Sequence, residues 1–332
     1  MVDPLTPGRH LVLVGPTASG KSALALALAQ RRRASGDRVE LISMDSMAVY
    51  RGMDIGTTTP DARERALVPH HLIDVVDPDQ EFSVAEFARG VRRVLDDLEA
   101  RDAAAILVGG SGLYVQAVVD DLDLPGRYPE VLAELEREQD TRALHARLAD
   151  LDPAAAARIE PDNRRRVMRA LEVTLGAGRP FSSFGPGLDA YPPTPFVLAG
   201  VRVPRDVLAA RVERRLHEQL DAGFVDEVRT VRGRAGGMSR TAAQALGYRE
   251  LAAHLDGECS LDDAVELAIT RTRQFGVRQL RWFGRDPRIR WFDHDGDPAV
   301  VLDELDRYWG ACAAAPDAIP GADEGTGATT VE

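Results

Sequence analysis

A glycine-rich segment near the amino terminus reads Gly15-Pro16-Thr17-Ala18-Ser19-Gly20-Lys21-Ser22, with the spacing G-x-x-x-x-G-K-S of a phosphate-binding loop, or P-loop. The apolar run Leu11–Val14 before it predicts a buried strand. Residues 22–33 after it, rich in leucine and alanine, predict a helix. This strand–loop–helix context lets backbone N–H groups surround phosphate oxygens, so we predict that residues 15–22 bind phosphate.

Lys21 is the only lysine in the chain, and the other 40 of the 41 lysine and arginine residues are arginines. A compact ammonium group can enter a ring of backbone N–H groups, whereas a planar guanidinium is too broad for that space. The composition therefore points to the same site as the motif, and we predict that Lys21 contacts terminal phosphate oxygens.

The bulk composition is that of a globular protein, with a net charge of −12. This charge argues against a non-specific nucleic-acid coat, although it allows local basic patches. The two cysteines, Cys259 and Cys312, lie far apart, which indicates neither a disulfide framework nor a metal site. No apolar run approaches the roughly 18 residues that span a bilayer, and residues 1–9 lack an apolar signal segment. We expect a cytoplasmic monomer with no membrane association.

Short apolar runs separated by helical patterns predict a parallel α/β sheet. The four predicted strands are Leu11–Val14, Val39–Ser43, Ala104–Val108 and Phe196–Val203. After the fourth strand the predicted helices are Arg205–Leu220, Phe224–Arg232, Arg240–Leu255 and Leu261–Phe283.

The stretch between the third and fourth strands has helical periodicity and no strand pattern, at Pro129–Leu148 and Asn163–Leu175. We therefore divide the chain into four parts. Residues 10–126 are the first part of the P-loop core, and residues 127–187 are a helical insertion domain that contacts RNA. Residues 188–312 complete the core and add a helical carboxy-terminal region, and residues 313–332 are a disordered tail.

Two polar positions follow predicted strands, where open parallel sheets bind their ligands. Asp45 comes directly after the second strand and could act as a general base, bind a metal ion or simply cap a loop.

The third strand runs into Gly109-Gly110-Ser111-Gly112, where an ATPase would usually carry an aspartate that holds magnesium. This departure argues against a motor or GTPase. The Ser111 hydroxyl could bond a ligand, although a tight turn would also explain these glycines.

Arginines are grouped in three places. Arg211 and Arg215 share a helix face and could clamp a diphosphate, although a solvated face is the better interpretation without further context. Two larger clusters, the second interleaved with aromatic residues, suit an RNA backbone and unstacked bases, and a solvated helix face is the alternative interpretation of both. They comprise Arg164, Arg165, Arg166 and Arg169, and Arg271, Arg273, Arg278, Arg281, Arg285, Arg288 and Arg290. The pair His70 and His71 has no nearby third ligand, so we expect structural hydrogen bonds there.

Eight segments in order, over roughly residues 10 to 293, resemble the bacterial tRNA dimethylallyltransferase family. They are GPTASGKS (15–22), ISMDSMAVYRGMDIGT (42–57), PHHLID (69–74), LVGGSGLY (107–114), RALEV (169–173), GFVDEV (223–228), TAAQALGYRE (241–250) and TRQFGVRQLRWF (272–283). The resemblance implies a P-loop NTPase-like core with a helical insertion. It also implies transfer of a dimethylallyl group from dimethylallyl diphosphate to N6 of adenosine 37, beside the anticodon.

The resemblance assigns roles by position. Lys21 and the amides of residues 15–22 would bind the diphosphate, Ser22 would bind Mg²⁺, Asp45 would be the base near adenine N6, and Arg215 would bind the leaving diphosphate. Ser111 joins the implied catalytic set. The implied contacts with the tRNA anticodon stem-loop are Asp45, Ser46, Met47, Ala48, Ser111, Arg165, Arg166, Arg169, Gln244, Gly247, Tyr248, Arg249, Arg278, Arg281 and Trp282.

The chain departs from the family pattern at four positions. Ala48 stands where relatives usually have glutamine, so one base-edge contact would be missing. Ser111 replaces a threonine and keeps the hydroxyl, Val277 replaces a basic residue, and Thr59 replaces a common lysine. No Cys/His zinc finger follows the core.

Three other functions compete with prenyl transfer to tRNA. A P-loop kinase acting on a metabolite, with bound ATP, would use the same core and Asp45, with the insertion as a lid. A prenyltransferase acting on free nucleotides would need no long arginine–aromatic surface. An RNA-binding module with a vestigial loop would not need the intact set of Lys21, Ser22 and Asp45.

Overall fold

The computed structural model describes residues 5–185 and 187–315, which form two compact units. Residues 5–120 and 191–315 make the larger unit, and residues 121–185 and 187–190 make the smaller one. The larger unit contains a parallel six-stranded sheet in the order β3-β2-β4-β1-β5-β6. Its strands are β1 (Leu11–Val14), β2 (Val39–Ser43), β3 (His70–His71), β4 (Ala104–Gly109), β5 (Val197–Arg202) and β6 (Arg290–Asp293).

Fourteen α-helices accompany the sheet in the described part of the chain. They are α1 (Lys21–Ala34), α2 (Asp54–Thr57), α3 (Ala62–Leu67), α4 (Val84–Ala100), α5 (Gly112–Val119), α6 (Pro129–Leu135), α7 (Thr141–Leu151), α8 (Pro153–Ala156), α9 (Arg164–Ala177), α10 (Arg205–Asp221), α11 (Phe224–Arg232), α12 (Tyr248–Leu255), α13 (Leu261–Phe283) and α14 (Leu302–Ala314). The predicted fold class, a parallel P-loop-type core with added helices, is confirmed.

The central strand β1 is buried on both faces, which is why it reads as a continuous apolar run. Side chains alternate across the sheet, so Val12 and Val14 enter one hydrophobic core, whereas Leu11 and Leu13 enter the core on the other face. The helix after the P-loop, α1, packs Leu24 and other buried residues into the second core. The P-loop is therefore anchored at both ends by buried residues.

Two edge strands were missed in the sequence. The strand β3 has two residues, His70 and His71, and β6 reads Arg290-Trp291-Phe292-Asp293, of which only Phe292 is buried. Edge strands contact a neighbour on one side only, so they need no apolar run. The histidines make hydrogen bonds as expected, from His71 Nε2 to Glu40 Oε2 at 2.6 Å and between His70 Nδ1 and the Val68 carbonyl at 2.8 Å.

Three helix predictions need correction. The predicted helix Arg240–Leu255 is a 3-10 turn at Ala242–Gln244 followed by α12, because Gly247 adopts a left-handed φ of 84° that ends the first segment. The predicted helix Pro129–Leu148 is two helices, α6 and α7, because the Asp140 side chain accepts from the amides of residues 142 and 143 and starts a new helix. The helix α14 was not predicted and includes residues 313 and 314 of the predicted tail, whose residues 316–332 lie outside the described part.

The smaller unit contains α6 to α9 around its own core. Leu135, Leu144, Leu148, Val167 and Leu171 are buried together there. This unit spans residues 121–190, and the predicted insertion at 127–187 falls within it. Among the described residues, no helix has both the length and the apolar character that a bilayer span requires.

Candidate active site

The carboxyl ends of the parallel strands bring the predicted catalytic residues to one edge of the sheet. The P-loop follows β1, Asp45 follows β2 and Ser111 follows β4, and β4 lies between the other two strands. The Ser111 hydroxyl accepts from the amide of Ser46 at 3.2 Å, which joins the loops after β2 and β4. Two segments whose joined residues are 65 positions apart in sequence thus form one surface, as expected for an open α/β sheet.

The P-loop backbone has the close turns that its glycines predict. A Cβ at Gly15 would lie 2.7 Å from the carbonyl oxygen of Val201 in β5, so no larger residue fits there. Gly20 has a left-handed φ of 89° immediately before α1 begins. The loop therefore delivers the amino-terminal end of a helix, with its free N–H groups, to the sheet edge.

Lys21 folds back over the loop that it follows. Its Nζ donates to the carbonyl oxygen of Pro16 at 3.1 Å. Burial lowers the pKa of Lys21 from 10.5 to about 8, while the nearby Asp45 carboxylate raises it and the Arg215 guanidinium lowers it. These three groups therefore share one electrostatic site, with two cations beside one carboxylate.

Four side chains from the carboxy-terminal half hold residues 17–19 of the P-loop. The amide of Thr17 donates to Gln279 Oε1 at 2.8 Å, and the Thr17 hydroxyl accepts from Arg215 at 3.2 Å. Arg211 donates to the Ala18 carbonyl at 3.2 Å, and His294 Nε2 donates to the Ser19 carbonyl at 2.9 Å. The loop conformation is thus set by α10, α13 and the residue after β6, as well as by its own glycines.

The structure overturns the solvated-face interpretation of Arg211 and Arg215. Both guanidinium groups bond to the P-loop from one face of α10. Burial lowers the pKa of Arg215, and Asp45 raises it. An arginine held this way carries its charge to the rim of a phosphate site.

Asp45 is held by its own loop. Its Oδ1 accepts from the amide of Met47 at 2.8 Å, in a turn that begins where β2 ends. The residue is half-buried, so its carboxylate can be reached from the sheet edge. This placement suits a general base, and that role stays a prediction.

The described residues offer a magnesium ion no cage of carboxylate or imidazole ligands. Among residues 5–185 and 187–315, no three His, Cys, Asp or Glu side chains form a metal-binding group. Mg²⁺ at phosphate sites keeps several waters and takes few protein ligands, with the phosphates supplying the rest. The exposed Ser22 hydroxyl, on the first turn of α1, fits this role.

The sequence model of a family described as IPP transferase matches residues 48–286. The chain belongs to this family. It is 46% identical over 293 residues to a tRNA dimethylallyltransferase of Thermobifida fusca, covering 87% of this chain and 91% of the relative. It is 47% identical over 307 residues to that of Streptomyces coelicolor, covering 90% and 96%.

Solved structures agree with the sequence comparison. The crystal structure of a tRNA isopentenylpyrophosphate transferase from Bacillus halodurans matches with a TM-score of 0.69 and 35% identity, covering 93% of this chain and 98% of that one. A eukaryotic dimethylallyltransferase acting on tRNA matches with a TM-score of 0.72, covering 93% and 79%, and at 24% identity it supports the fold alone.

The predicted tRNA contacts of this family member fall into exposed and buried groups. The exposed residues are Arg165, Arg166, Gln244, Arg249, Arg278 and Arg281, and Ser46, Met47, Arg169 and Trp282 are partly exposed. Ala48 and Tyr248 are only 5% and 1% exposed, and Gly247 is also buried. The Tyr248 hydroxyl donates to Glu227, so we correct its assignment: this side chain supports the fold and is not presented to tRNA.

Two internal partners of the site had no signal in the sequence. Gln279 lies between two arginines in the motif that the resemblance quoted, yet it is 5% exposed and bonds to the P-loop. Glu227 accepts from the amides of residues 54 to 56 and from Tyr248, so it fixes the segment after the Asp45 loop. Glu227 thus caps the start of α2 from a different helix, α11. The sequence alone does not show that these two helices are neighbours.

Proposed function

We propose that this protein transfers a dimethylallyl group from dimethylallyl diphosphate to N6 of adenosine 37, beside the anticodon of certain tRNAs, and releases diphosphate. Membership of the IPP transferase family supports prenyl transfer to tRNA. The observation that carries the proposal is that Asp45 and the P-loop follow strands of the same parallel sheet, with Asp45 within electrostatic reach of Lys21 and Arg215. One carboxylate beside two cations suits a reaction that removes a proton and releases an anion. We propose that the enzyme acts in the cytoplasm as a monomer on the anticodon stem-loop.

The two cations and the P-loop act on the leaving group. As the C1–O bond of the allylic substrate breaks, negative charge grows on the diphosphate and positive charge on the allyl carbons. Lys21, Arg215 and the N–H groups at the start of α1 stabilise the diphosphate charge where it develops. The Ser22 hydroxyl would hold Mg²⁺, whose charge, when the ion is bound, neutralises the diphosphate further.

Asp45 acts on the nucleophile. The exocyclic amine of adenine is a weak nucleophile, so its orientation and the loss of its proton both matter. As the bond between N6 and C1 forms, the amine proton passes to the Asp45 carboxylate and diphosphate leaves. The target base must leave its stack to reach the sheet edge, and the exposed arginines on α9 and α13 bind the RNA backbone.

The direct test is an in vitro reaction with tRNA that lacks this modification. Purified protein is incubated with Mg²⁺ and either dimethylallyl diphosphate or ATP, and nucleosides from digested tRNA are analysed by mass spectrometry. We expect N6-isopentenyladenosine with dimethylallyl diphosphate only, and none with the Lys21→Met variant. No prenylated adenosine, together with calorimetric binding of ATP but not of dimethylallyl diphosphate, would instead favour a kinase.

A further inference from the structure

Gln279 uses both ends of its side chain inside the protein. The residue lies on α13 and is 5% exposed. Its Oε1 accepts from the amide of Thr17 at 2.8 Å, and its Nε2 donates to the carbonyl of Gly110 at 2.9 Å. A neutral carboxamide presents one acceptor and one donor at this spacing, whereas an ionised carboxylate can only accept.

The Gln279 carboxamide lies so close to the backbone of Gly110 that no side chain fits there. A Cβ at Gly110 would lie 2.2 Å from Gln279 Nε2 and 3.0 Å from the carbonyl oxygen of Gly15. The loop after β4, the P-loop and α13 are therefore packed closely together around Gly110. One helical turn further along α13, the Trp282 ring packs against Gly112, where a Cβ would lie 2.5 Å from it. The helix α13 thus contacts the loop after β4 at Gly110 and the start of α5 at Gly112, and the two hydrogen bonds of Gln279 orient its carboxamide.

The peptide group between Pro16 and Thr17 is held at both of its polar ends. Its N–H donates to Gln279 and its carbonyl oxygen accepts from Lys21 Nζ at 3.1 Å. A peptide unit is planar, so fixing the direction of its N–H also fixes the opposite direction of its carbonyl. The orientation of the lysine ammonium in the free protein therefore depends on Gln279.

We propose that Gln279 is a positioning residue for the allylic diphosphate, acting through the Pro16–Thr17 peptide to place Lys21. The assignment of the ligand as an allylic diphosphate rests on the proposed function above. Because its N–H is taken by Gln279, the Thr17 amide is withheld from the ligand, and the diphosphate is met by Lys21 and the amides nearer to α1. Gln279 is buried, so this role needs no contact with either substrate, whereas Arg278 and Arg281 are exposed and are predicted to contact tRNA.

The test compares Gln279→Leu, Gln279→Glu and the control Gln274→Glu, an exposed position on the same helix. Binding of inorganic diphosphate is measured by calorimetry, and prenyl transfer is measured in single turnovers. We expect Gln279→Leu to weaken diphosphate binding roughly three- to tenfold, as for one lost hydrogen bond. The KM for dimethylallyl diphosphate should rise with it, tRNA affinity should be unchanged, and the control should match wild type.

The pH profile of Gln279→Glu separates positioning from general structural support. A protonated carboxyl reproduces the carboxamide, with O–H donating to Gly110 and C=O accepting from Thr17, whereas the anion loses the first bond and repels diphosphate. Burial raises the pKa of a carboxyl group, so protonation should occur in an accessible range. The ratio of variant to wild-type diphosphate affinity should therefore rise toward one as the pH falls.

Two outcomes would count against the positioning role, and two others are separated from it by the design. Wild-type diphosphate affinity in Gln279→Leu, or a ratio for Gln279→Glu that does not change with pH, would overturn the positioning role. If Gln279→Leu does not fold, the pH series of Gln279→Glu still decides the question, with circular dichroism as the check on folding. If wild type forms no prenylated tRNA, the proposed function fails, while the calorimetric comparison still tests the role of Gln279.

Discussion

Titration of Lys21 should limit diphosphate binding at alkaline pH. Burial lowers the pKa of this ammonium to about 8 in the free protein, well below the 10.5 of an ordinary lysine. The charged form binds the anion, so raising the pH removes the charge and weakens binding. A group with a pKa of about 8 is about nine-tenths protonated at pH 7 and about one-tenth at pH 9. Affinity should therefore fall about tenfold between these pH values, or about 1.4 kcal/mol.

The assay is isothermal calorimetry with inorganic diphosphate across this pH range, on wild type and two variants. The ligand also changes its protonation, so each wild-type value is divided by the value for Lys21→Arg at the same pH. The guanidinium keeps its charge throughout, although its planar shape should give weaker binding overall. Lys21→Met should bind diphosphate weakly at every pH. Its affinity should not show the fall between pH 7 and pH 9 that the titration of Lys21 causes.

The reasoning is wrong if the wild-type affinity, expressed relative to Lys21→Arg, stays constant from pH 7 to pH 9. It is also wrong if Lys21→Met keeps the same fall in affinity as wild type, because another group would then be titrating. Bound diphosphate should raise the pKa of Lys21, so the transition in the complex should lie at higher pH than in the free protein.

Three further changes test other parts of the site. Asp45→Asn keeps an acceptor for the Met47 amide, so we expect tRNA affinity within a few-fold of wild type and turnover lower by about 10²–10⁴, and an unchanged single-turnover rate would remove Asp45 from the mechanism. Neutralising Arg165, Arg166 and Arg278 together should reduce the log–log salt slope of tRNA binding by roughly 0.7–0.9 per lost phosphate contact, and identical slopes would mean that these arginines are only solvated. Tyr248→Phe should lower the free energy of unfolding by about 1–3 kcal/mol, seen in urea melts, while a loss of tRNA affinity would restore its direct contact.

The sequence predicted the parts of the fold that have a local cause. The strand Leu11–Val14 and helices such as Phe224–Arg232 have an apolar pattern of their own, and the structure reproduces their bounds. The P-loop motif located the site for the same reason. The strand Arg290–Asp293 exists because β5 offers it a partner, and no run of apolar residues marks it.

The contacts between distant segments could not be read from the sequence. Arg211 and Arg215 looked like any solvated pair one helical turn apart, since nothing local shows that α10 passes beside the P-loop. Gln279 and Tyr248 lie inside motifs that suggested RNA contacts. Whether such a side chain faces solvent or the core depends on the packing of its helix, which is a property of the tertiary structure.

The partners that shape residues 17–19 lie between 193 and 275 positions further along the chain. During synthesis, the motif Gly15–Ser22 leaves the ribosome long before any of these partners exists. Contacts with such large sequence separation form late in folding, because long loops must close first. A nascent or truncated chain that ends before α13 would carry the whole motif but lack Gln279 and His294, two of the four side chains that hold it. Full affinity for the diphosphate that we propose as ligand should then appear only once residues 279 and 294 have been made and have packed against the loop.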